Sequence, residues 1–482
     1  MNKSVAIVAG VIVVGGGLWL GGAWYTGSRL EAKSAEQIAQ INAALNATER
    51  DDVFEVSQLS FERGLFSSHG RYAVTIAPQS SKPATIEITA DYEHGPFPLS
   101  ALSKGKLAPA MALVHTEVAR TPEVELWFVS AKDQKPFQMD TIVSYGGDAE
   151  FDGKFAPVVL KAGENGSPTN LDFSGATLQG TFARDTRHLV ASFDAPTLSS
   201  KSAGDGPESL DVNGTKINVD VMQGKFGVQT GKAEIAINKL VVGGLSKRDR
   251  DIKHVSVDNF VYGGSTSEDD KFVSGEAYVR GNALTLDGLV FGDPSLTIKV
   301  GRIDGPALQR IMTAIDNAQK QQSGSSAAPA EDPKDVLIDN GTALLAANPT
   351  LAIDPLVWKN EKGESKLSIT AAFTQPGNLG MPIPMILAQA VKTVNLDLNL
   401  NKPMAVQAGS LAMQRDRGMD AESATAAVSQ QLDQQTAQLI ELGFAKAEGD
   451  NIISQIQYDG KTFVINGREM PISELMGLFM AM

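Results

Sequence analysis

The chain has 482 residues, of which 42% are hydrophobic, and it has no cysteine and a formal net charge of −14. This length allows several domains, or one elongated body with ample apolar residue to bury. The lack of cysteine excludes disulfides, thiolate metal sites and cysteine nucleophiles. The acidic balance argues against nucleic acid as a partner, because phosphate binding requires a surplus of Lys and Arg.

The first predicted element is a transmembrane helix over residues 5–25, an uncharged stretch with the sequence VAIVAGVIVVGGGLWLGGAWY. About 20 helical residues cross the roughly 30 Å hydrocarbon layer of a bilayer. No small-x-small cleavage site follows the stretch, which favours an uncleaved signal anchor over a removed signal peptide. A short N-terminal tail normally stays inside, so we expect the long remainder of the chain to lie outside the cytoplasm.

Two glycines of this anchor suggest a contact between membrane helices. Gly17 and Gly21 have the small-xxx-small spacing that allows two such helices to approach closely, as in a homodimer. Glycine is also common in membrane helices without this role, so both interpretations stay open. After the anchor region, residues 1–28, the apolar residues of 29–50 have helical spacing and predict a stalk.

Residues 51–305 are predicted to form a long antiparallel β-meander. Apolar and polar residues alternate there in short segments, as half-buried strands require, and glycine-rich turns separate the segments. Such a sheet has one face that must be covered. Either sheets pack on each other or the sheet curls and leaves an apolar trough, and the sequence leaves both arrangements open.

The remainder, residues 306–482, is predicted to combine helices with strands, so the fold class is mainly β with α (α+β). An Asp-Gly-Pro sequence at residues 304–306 is a helix start, and the apolar stripe that follows it predicts a packed helix. A polar segment near residues 319–333 predicts a mobile loop, and residues 404–442 predict one long helix. Further strands are predicted at residues 350–358, 365–373, 394–400, 452–458 and 462–465, and a final helix at residues 473–480.

A rigid turn of His94, Gly95, Pro96, Phe97 and Pro98 is a candidate docking surface, because its prolines fix the backbone while Phe97 is expected to pack. Neighbouring carboxylates could orient His94 as a base, but no nucleophile motif such as GxSxG accompanies it. The five histidines of the chain are scattered without metal-ligand spacing. No phosphate-binding or calcium loop occurs. The sequence therefore predicts no catalytic, metal or cofactor site and a protein that is not an enzyme.

A second apolar turn, Gly-Leu-Phe at residues 64–66, either packs in the core or touches the bilayer. Core placement is the expectation, since large apolar side chains are usually buried.

Several short segments are distinctive in combination: MNKS at the start, GGAWYTG at residues 21–27, GLFSS at 64–68, HGPFPL at 94–99, GRIDG at 301–305 and PLVWKN at 355–360. Together they resemble the YdgA-like family of bacterial envelope proteins, and the resemblance spans nearly the whole chain. It implies an inner-membrane protein with a single anchor, a periplasmic body classed as a domain of unknown function, and self-association. It supplies no catalytic residues.

Two functions are consistent with these features. The first is a non-enzymatic, membrane-tethered periplasmic scaffold or binding protein of the cell envelope, whose partner is an envelope protein or a second copy of the chain. The second is a periplasmic carrier that holds a lipid or another hydrophobic ligand in the groove of a curled sheet. An open groove lined by Val74, Ile76, Ile86 and Ile88 would favour the carrier, whereas a closed interior there would argue against it.

Overall fold

The computed structural model describes residue 42 and residues 52–78, 84–161, 169–202, 208–245, 252–322, 333–377 and 389–471. The predicted membrane span with Gly17 and Gly21, the segment 323–332 and the predicted final helix lie outside these residues. Of the predicted stalk, Asn42 is described and is helical. The helices within the described ranges are all too short or too polar to cross a membrane.

The described ranges contain 22 strands. All the strand pairings given below are antiparallel. The first eleven strands are β1 (Asp52–Arg63), β2 (Ser67–Pro78), β3 (Ala84–His94), β4 (Ala112–Val118), β5 (Phe137–Val143), β6 (Ala149–Phe155), β7 (Val158–Leu160), β8 (Thr169–Phe173), β9 (Ala176–Ala183), β10 (His188–Ser202) and β11 (Ser209–Gln223). The others are β12 (Gln229–Gly243), β13 (His254–Glu268), β14 (Phe272–Leu286), β15 (Leu289–Asp304), β16 (Thr350–Asn360), β17 (Gly363–Phe373), β18 (Val391–Asn401), β19 (Lys446–Glu448), β20 (Asn451–Tyr458), β21 (Thr462–Ile465) and β22 (Arg468–Pro471).

Helices connect or follow these strands. They are α1 (Leu99–Ser103), α2 (Glu125–Ser130), α3 (Gly305–Gln322), α4 (Pro333–Ala346), α5 (Lys402–Arg417) and α6 (Ala421–Glu441). The prediction of a mainly β protein with a long antiparallel meander is confirmed. Its basis in the sequence is plain in β6, where buried and exposed residues alternate without interruption.

The first compact unit is Met1–Met222. Its strands pair in the order β1, β2, β3, β4, β5, β6, β9, β10, β11, and the β7–β8 hairpin pairs with the far part of β10. The core lies on one face of this sheet, where the ring of Phe155 is 4.7 Å from that of Phe137 and 6.0 Å from that of Phe193. Trp127 and Phe128 of α2 belong to the same core.

This interior is closed. Val74, Ile86 and Ile88 are 0%, 1% and 1% exposed and belong to the same buried cluster as the phenylalanines. Among the described residues of the first unit, these three side chains therefore do not line the groove that a carrier would require. The side chain of Ile76 lies outside the described part of the chain.

The second compact unit is Gln223–Met482. Strands β12 to β18 pair in sequence order, followed by β20, β21 and β22, while β19 pairs with the start of β20. The helices pack as two pairs, α3 with α4 and α5 with α6. The predicted hairpin of β16 and β17, strand β18 and the hairpin of β20 and β21 are all present.

The helix start predicted at residues 304–306 is confirmed, because the Asp304 carboxylate accepts a hydrogen bond from the Ala307 amide at 2.8 Å. The prediction of a packed apolar stripe on α3 is confirmed only in part, since Leu308 and Ile311 of the stripe are half-buried. Met312 and Ile315 are exposed, whereas Ala307 and Ala314 are buried. The helix packs through its alanines, whose small side chains allow closer approach than the larger residues of the stripe.

The predicted single helix over residues 404–442 is two helices. Gly418 ends α5 in the left-handed conformation, with φ of 65°, which interrupts the helical backbone. The Asp420 side chain then accepts a hydrogen bond from the Ser423 amide at 2.9 Å and starts α6. Helix α3 extends to Gln322, into the segment that was predicted to be a mobile loop.

Candidate functional site

The predicted docking turn belongs to a larger surface at one end of the first unit. Antiparallel pairing places four connections at the same end of the sheet, namely those between β1 and β2, β3 and β4, β5 and β6, and β9 and β10. We call this end the loop edge. It comprises residues 63–67, 95–111, 144–148 and 184–187.

Hydrogen bonds join the docking turn to the Gly-Leu-Phe turn. The His94 amide donates to the Phe66 carbonyl at 2.9 Å. On the His94 ring, Nδ1 lies 3.3 Å from the Leu65 carbonyl oxygen and Nε2 lies 3.0 Å from Oγ of Ser68. Because a carbonyl oxygen only accepts, Nδ1 donates to Leu65, while Nε2 and the Ser68 hydroxyl form the second hydrogen bond. His94 therefore acts as a structural link between two loops.

The backbone of the docking turn is tightly held. The Gly95 amide donates to the Met111 carbonyl at 2.7 Å, and the Ala110 amide donates to the Pro96 carbonyl at 3.0 Å. A Cβ atom on Gly95 would lie 1.8 Å from the Ala110 carbonyl oxygen, so this close approach requires glycine. The turn is rigid, as the two prolines predict.

The apolar side chains of the loop edge point away from the core. Leu65 and Phe66 are 84% and 79% exposed, so the expectation that this turn packs in the core is wrong. Phe97 is half exposed, which corrects the expectation that it packs. Strand alternation does not explain the exposure of Leu65, Phe66 and Phe97. All three residues lie in connections, where the side-chain direction depends on turn geometry. Three further large residues of this edge are exposed, namely Leu99, Leu107 and Tyr145.

A second candidate surface lies on the sheet of the second unit. Three rows of apolar residues, each paired across neighbouring strands, share one face, which we call the apolar face. The first row is Ile235, Tyr262, Val279, Leu296, Leu356, Leu367 and Leu398. The second is Ile298, Ile353, Ile369, Leu396 and Ile456, and the third is Val300, Leu351, Ala371 and Val394.

No side chain of these three rows is fully buried, although most of them are aliphatic. The side chains of Ile298 and Leu351 are exposed. A side chain between strands about 4.8 Å apart is shielded by its neighbours in the sheet, but it becomes fully buried only when a second layer covers it. Among the described residues, then, no layer fully covers the apolar face.

A β-bulge keeps the rows on one face. The pairing of β16 shifts between Ile353 and Leu356, which inserts an extra residue and brings both side chains to the same side. Helix α5 lies at one end of these strands, where Oγ of Ser365 donates to the Met404 sulfur at 3.0 Å. The opposite face is polar, as the pairing of Asn395 with Gln457 illustrates.

Apart from His94, the histidines of the first unit pair with acidic residues instead of gathering at a site. His69 lies 2.5 Å from Asp91, and Nδ1 of His115 lies 2.8 Å from the Asp140 carboxylate. The bond to Asp140 raises the pKa of His115, with a smaller contribution from Glu117, and the same bond lowers the pKa of Asp140. On β10, His188 lies 2.7 Å from Asp220 in the same manner.

The carboxylates near His94 have other partners. Asp91 pairs with His69, and Glu93 accepts from the amide and the hydroxyl of Ser100. In the described ranges, no group of three or more His, Asp or Glu side chains is placed to hold a metal ion. What this region can do chemically is to present a firm apolar surface.

The similarity to known proteins extends over nearly the whole chain. Residues 1–473 match the family described as bacterial protein of unknown function, DUF945. This chain belongs to the DUF945 family. It is 26% identical to protein YdgA of Escherichia coli strain K12 over 497 aligned residues, which covers 99% of this chain and 97% of that protein. It is 24% identical to the uncharacterized protein YihF of the same organism, with 97% of each chain covered.

No solved structure is significantly similar to this DUF945 chain. The predicted YdgA-like relationship is confirmed. Family membership supplies no activity, since the family description is itself one of unknown function. The two surfaces are therefore the features of this chain that point to a function. Part of the loop edge was predicted from the sequence. The apolar face was not, because its strands were recognised singly and their pairing into rows was not predicted.

Proposed function

We propose that this DUF945 protein is a non-enzymatic, membrane-tethered binding protein of the bacterial envelope. Residues 5–25 anchor it in the inner membrane and the body lies in the periplasm. Its ligand is the acyl chain of an envelope lipid, which lies on the apolar face of the second unit. The observation that carries this proposal is that, among the described residues, no side chain of the three apolar rows is fully buried.

The size of the face suits an acyl chain. Its first row crosses seven strands, and six spacings of about 4.8 Å give a width of about 29 Å. One leaflet of a bilayer holds its acyl chains within about 15 Å, half of the hydrocarbon thickness. The row is therefore about twice as long as the depth that acyl chains occupy in a leaflet, so an acyl chain can lie along it.

The chemistry of the face favours a lipid over a protein. The first row contains one hydroxyl, on Tyr262, and otherwise only aliphatic side chains. Protein interfaces normally include about one hydrogen bond per 100–200 Å² and are enriched in Arg and aromatic residues. Apart from the Tyr262 hydroxyl, the three rows offer hydrocarbon contact without hydrogen-bonding side chains, as an acyl chain requires.

The closed core of the first unit is compatible with this assignment. The carrier hypothesis named positions of the first unit as the groove, and three of them, Val74, Ile86 and Ile88, are buried in the core. The binding surface that we propose is instead in the second unit, on strands that the sequence analysis did not single out for this role.

Site-specific photo-crosslinking in living cells tests the proposal with the full chain. The photoreactive residue p-benzoylphenylalanine replaces Leu396, which is on the apolar face, or Asn395, which is adjacent in β18 on the polar face. Cells are grown with radioactive phosphate, so that phospholipids are labelled, and the protein is purified after irradiation. We expect a radioactive protein band for the Leu396 variant and background for the Asn395 variant.

Two outcomes would overturn the lipid assignment. Equal labelling at the two positions would mean that lipid contact is nonspecific. A discrete adduct of higher mass at Leu396, without radioactivity, would mean that a protein covers the face. In that case this DUF945 chain is the scaffold that was the first of the two functions predicted from the sequence.

A further inference from the structure

We propose that the loop edge of the first unit inserts its apolar side chains into the interface of an anionic phospholipid bilayer. This surface is distinct from the apolar face of the second unit. The bilayer contact would tie the body to the membrane at a point separate from the anchor. It does not require that a lipid leave the membrane.

Exposed apolar residues are concentrated at this end of the sheet. Five residues there are large, apolar or aromatic, and at least 60% exposed, namely Leu65, Phe66, Leu99, Leu107 and Tyr145. At the opposite end of the first unit, Val129 is the large apolar residue of the described connections that is exposed, at 46%. Monomeric soluble proteins rarely expose such clusters, and those that do often bind membranes or proteins.

The identity of these residues suits an interface. Leucine and phenylalanine supply the apolar side of helices and loops that bind membrane surfaces, where they enter by about 5–10 Å. The Tyr145 ring has the amphipathic character that favours the headgroup zone. The turns that carry them are rigid, so little conformational entropy is lost when they insert.

The loop edge also differs in charge from the rest of this acidic chain. The loop edge contains five basic and two acidic residues, a net charge of +3 in a chain of net charge −14. They are Arg63, Lys104, Lys106, Arg184, Arg187, Asp148 and Asp185. Lys104 and Lys106 pair with Asp140 and Glu150 on adjacent strands, and Glu93 accepts from Ser100 of the edge, so the edge is neutral when these three carboxylates are included. An anionic headgroup layer would repel most of this acidic protein but not this edge.

The length of the chain between β1 and the predicted membrane span also bears on this contact. The Asn42 side chain bonds both backbone groups of Val56, halfway along β1, at 2.7 and 3.0 Å. From Val56 the strand runs seven residues to Arg63 at the loop edge, about 23 Å. Asn42 is 17 positions after Tyr25, the end of the predicted span, and a helix of 17 residues would be about 26 Å long. A helical stalk of that length, directed along β1 towards the loop edge, would allow the loop edge to meet the membrane surface.

The absence of cysteine makes a direct test simple, since a single introduced cysteine is labelled without background. The full chain is prepared with Leu65→Cys, Leu99→Cys or, as the control, Val129→Cys, each carrying the fluorophore NBD. All three side chains are exposed, so the fold tolerates the label. Each protein is reconstituted into nanodiscs of phosphatidylglycerol and phosphatidylcholine, with or without doxyl-labelled lipid.

We expect the NBD emission of the Leu65 and Leu99 variants to shift to the blue and to fall by about half or more with doxyl lipid, because residues at 5–10 Å depth lie within reach of the quencher. The Val129 variant should show neither effect, although the same anchor holds it in the same nanodisc. Lipid without phosphatidylglycerol should weaken the quenching at the loop edge.

Equal quenching at Leu65 and Val129, or none at Leu65 and Leu99, would overturn the proposal. A blue shift without doxyl quenching, present when nanodiscs hold two copies and lost when they hold one, would assign the loop edge to a second copy of the chain. Either result leaves the photo-crosslinking at Leu396 unaffected, so this proposal and the lipid-binding proposal fail independently.

Discussion

The uncovered state of the apolar face can be tested through stability, by one substitution made at two sites. Ile88 in β3 and Ile369 in β17 are both isoleucines of antiparallel strands with an apolar neighbour opposite. Ile88 is 1% exposed within the core of the first unit. Ile369 lies in the second row of the apolar face and is neither fully buried nor fully exposed. The perturbation is Ile→Ala at each position.

The expected magnitudes differ because the environments differ. At Ile88, the lost carbon groups are worth about 0.8 kcal/mol each, roughly 2.4 kcal/mol for three, and the cavity adds to this within the usual range of about 2–5 kcal/mol. At Ile369 the side chain remains partly in water and no second layer leaves a cavity. The loss there should be about 1 kcal/mol, which includes the lower strand propensity of alanine.

Native-state hydrogen exchange followed by mass spectrometry measures both losses in the full chain in nanodiscs. Peptides that cover β3 and β17 report the free energy of opening of each unit separately. Asn395→Ala on the polar face is the control and should change the opening free energy by about 0.5 kcal/mol or less. If Ile369→Ala destabilises β17 by as much as Ile88→Ala destabilises β3, a layer covers the apolar face and the argument for an open ligand surface is wrong.

Other predictions concern single interactions. The raised pKa of His115 gives stability that is complete below pH of about 6.5 and is lost as pH rises through the folded-state pKa, while the lowered pKa of Asp140 gives stability that is lost in acid. Asp140→Asn should therefore destabilise most at about pH 4 to 6.5 and lower the pKa of His115 in an NMR titration; an unchanged pKa would contradict the pairing. Gly418→Ala, at φ of 65° with open space around the new Cβ, should cost about 1 kcal/mol in thermal unfolding, and no loss would mean that the cap relaxes freely. Asn42→Ala removes both bonds to the Val56 backbone, so the Val56 amide should exchange faster, and unaltered exchange would refute that contact.

Much of the fold could be predicted from the sequence because the local signals are strong. The alternation in β16 and β17, with a glycine turn between them, predicted a hairpin that is present. The Asp304 cap predicted the start of α3. Where two local signals competed, the prediction failed. The apolar spacing of residues 404–442 predicted one helix, and the left-handed Gly418 divides it.

The candidate surfaces were harder to predict because they depend on register and turn geometry. The docking turn at Phe97 was found from its prolines, but its partner loop at Leu65 and Phe66 was expected in the core. The link between the two is the pair of His94 hydrogen bonds to residues 26 and 29 positions away in the sequence, which no local pattern reveals. For the apolar face, individual strands such as β18 were recognised, while the row that joins Leu396 to Ile369 and Ile353 requires the strand pairing.

The sequence by itself determined the composition limits, the apolar span at residues 5–25, the mainly β character and the family resemblance, because each depends on local periodicity or on matching residues. The tertiary structure decided which apolar residues are covered. It filled the interior at Val74, Ile86 and Ile88, whereas among the described residues no layer fully covers the rows around Ile369 and Leu396. The physical reason is that alternation specifies two faces for every strand, whereas burial depends on whether another layer packs against one of them.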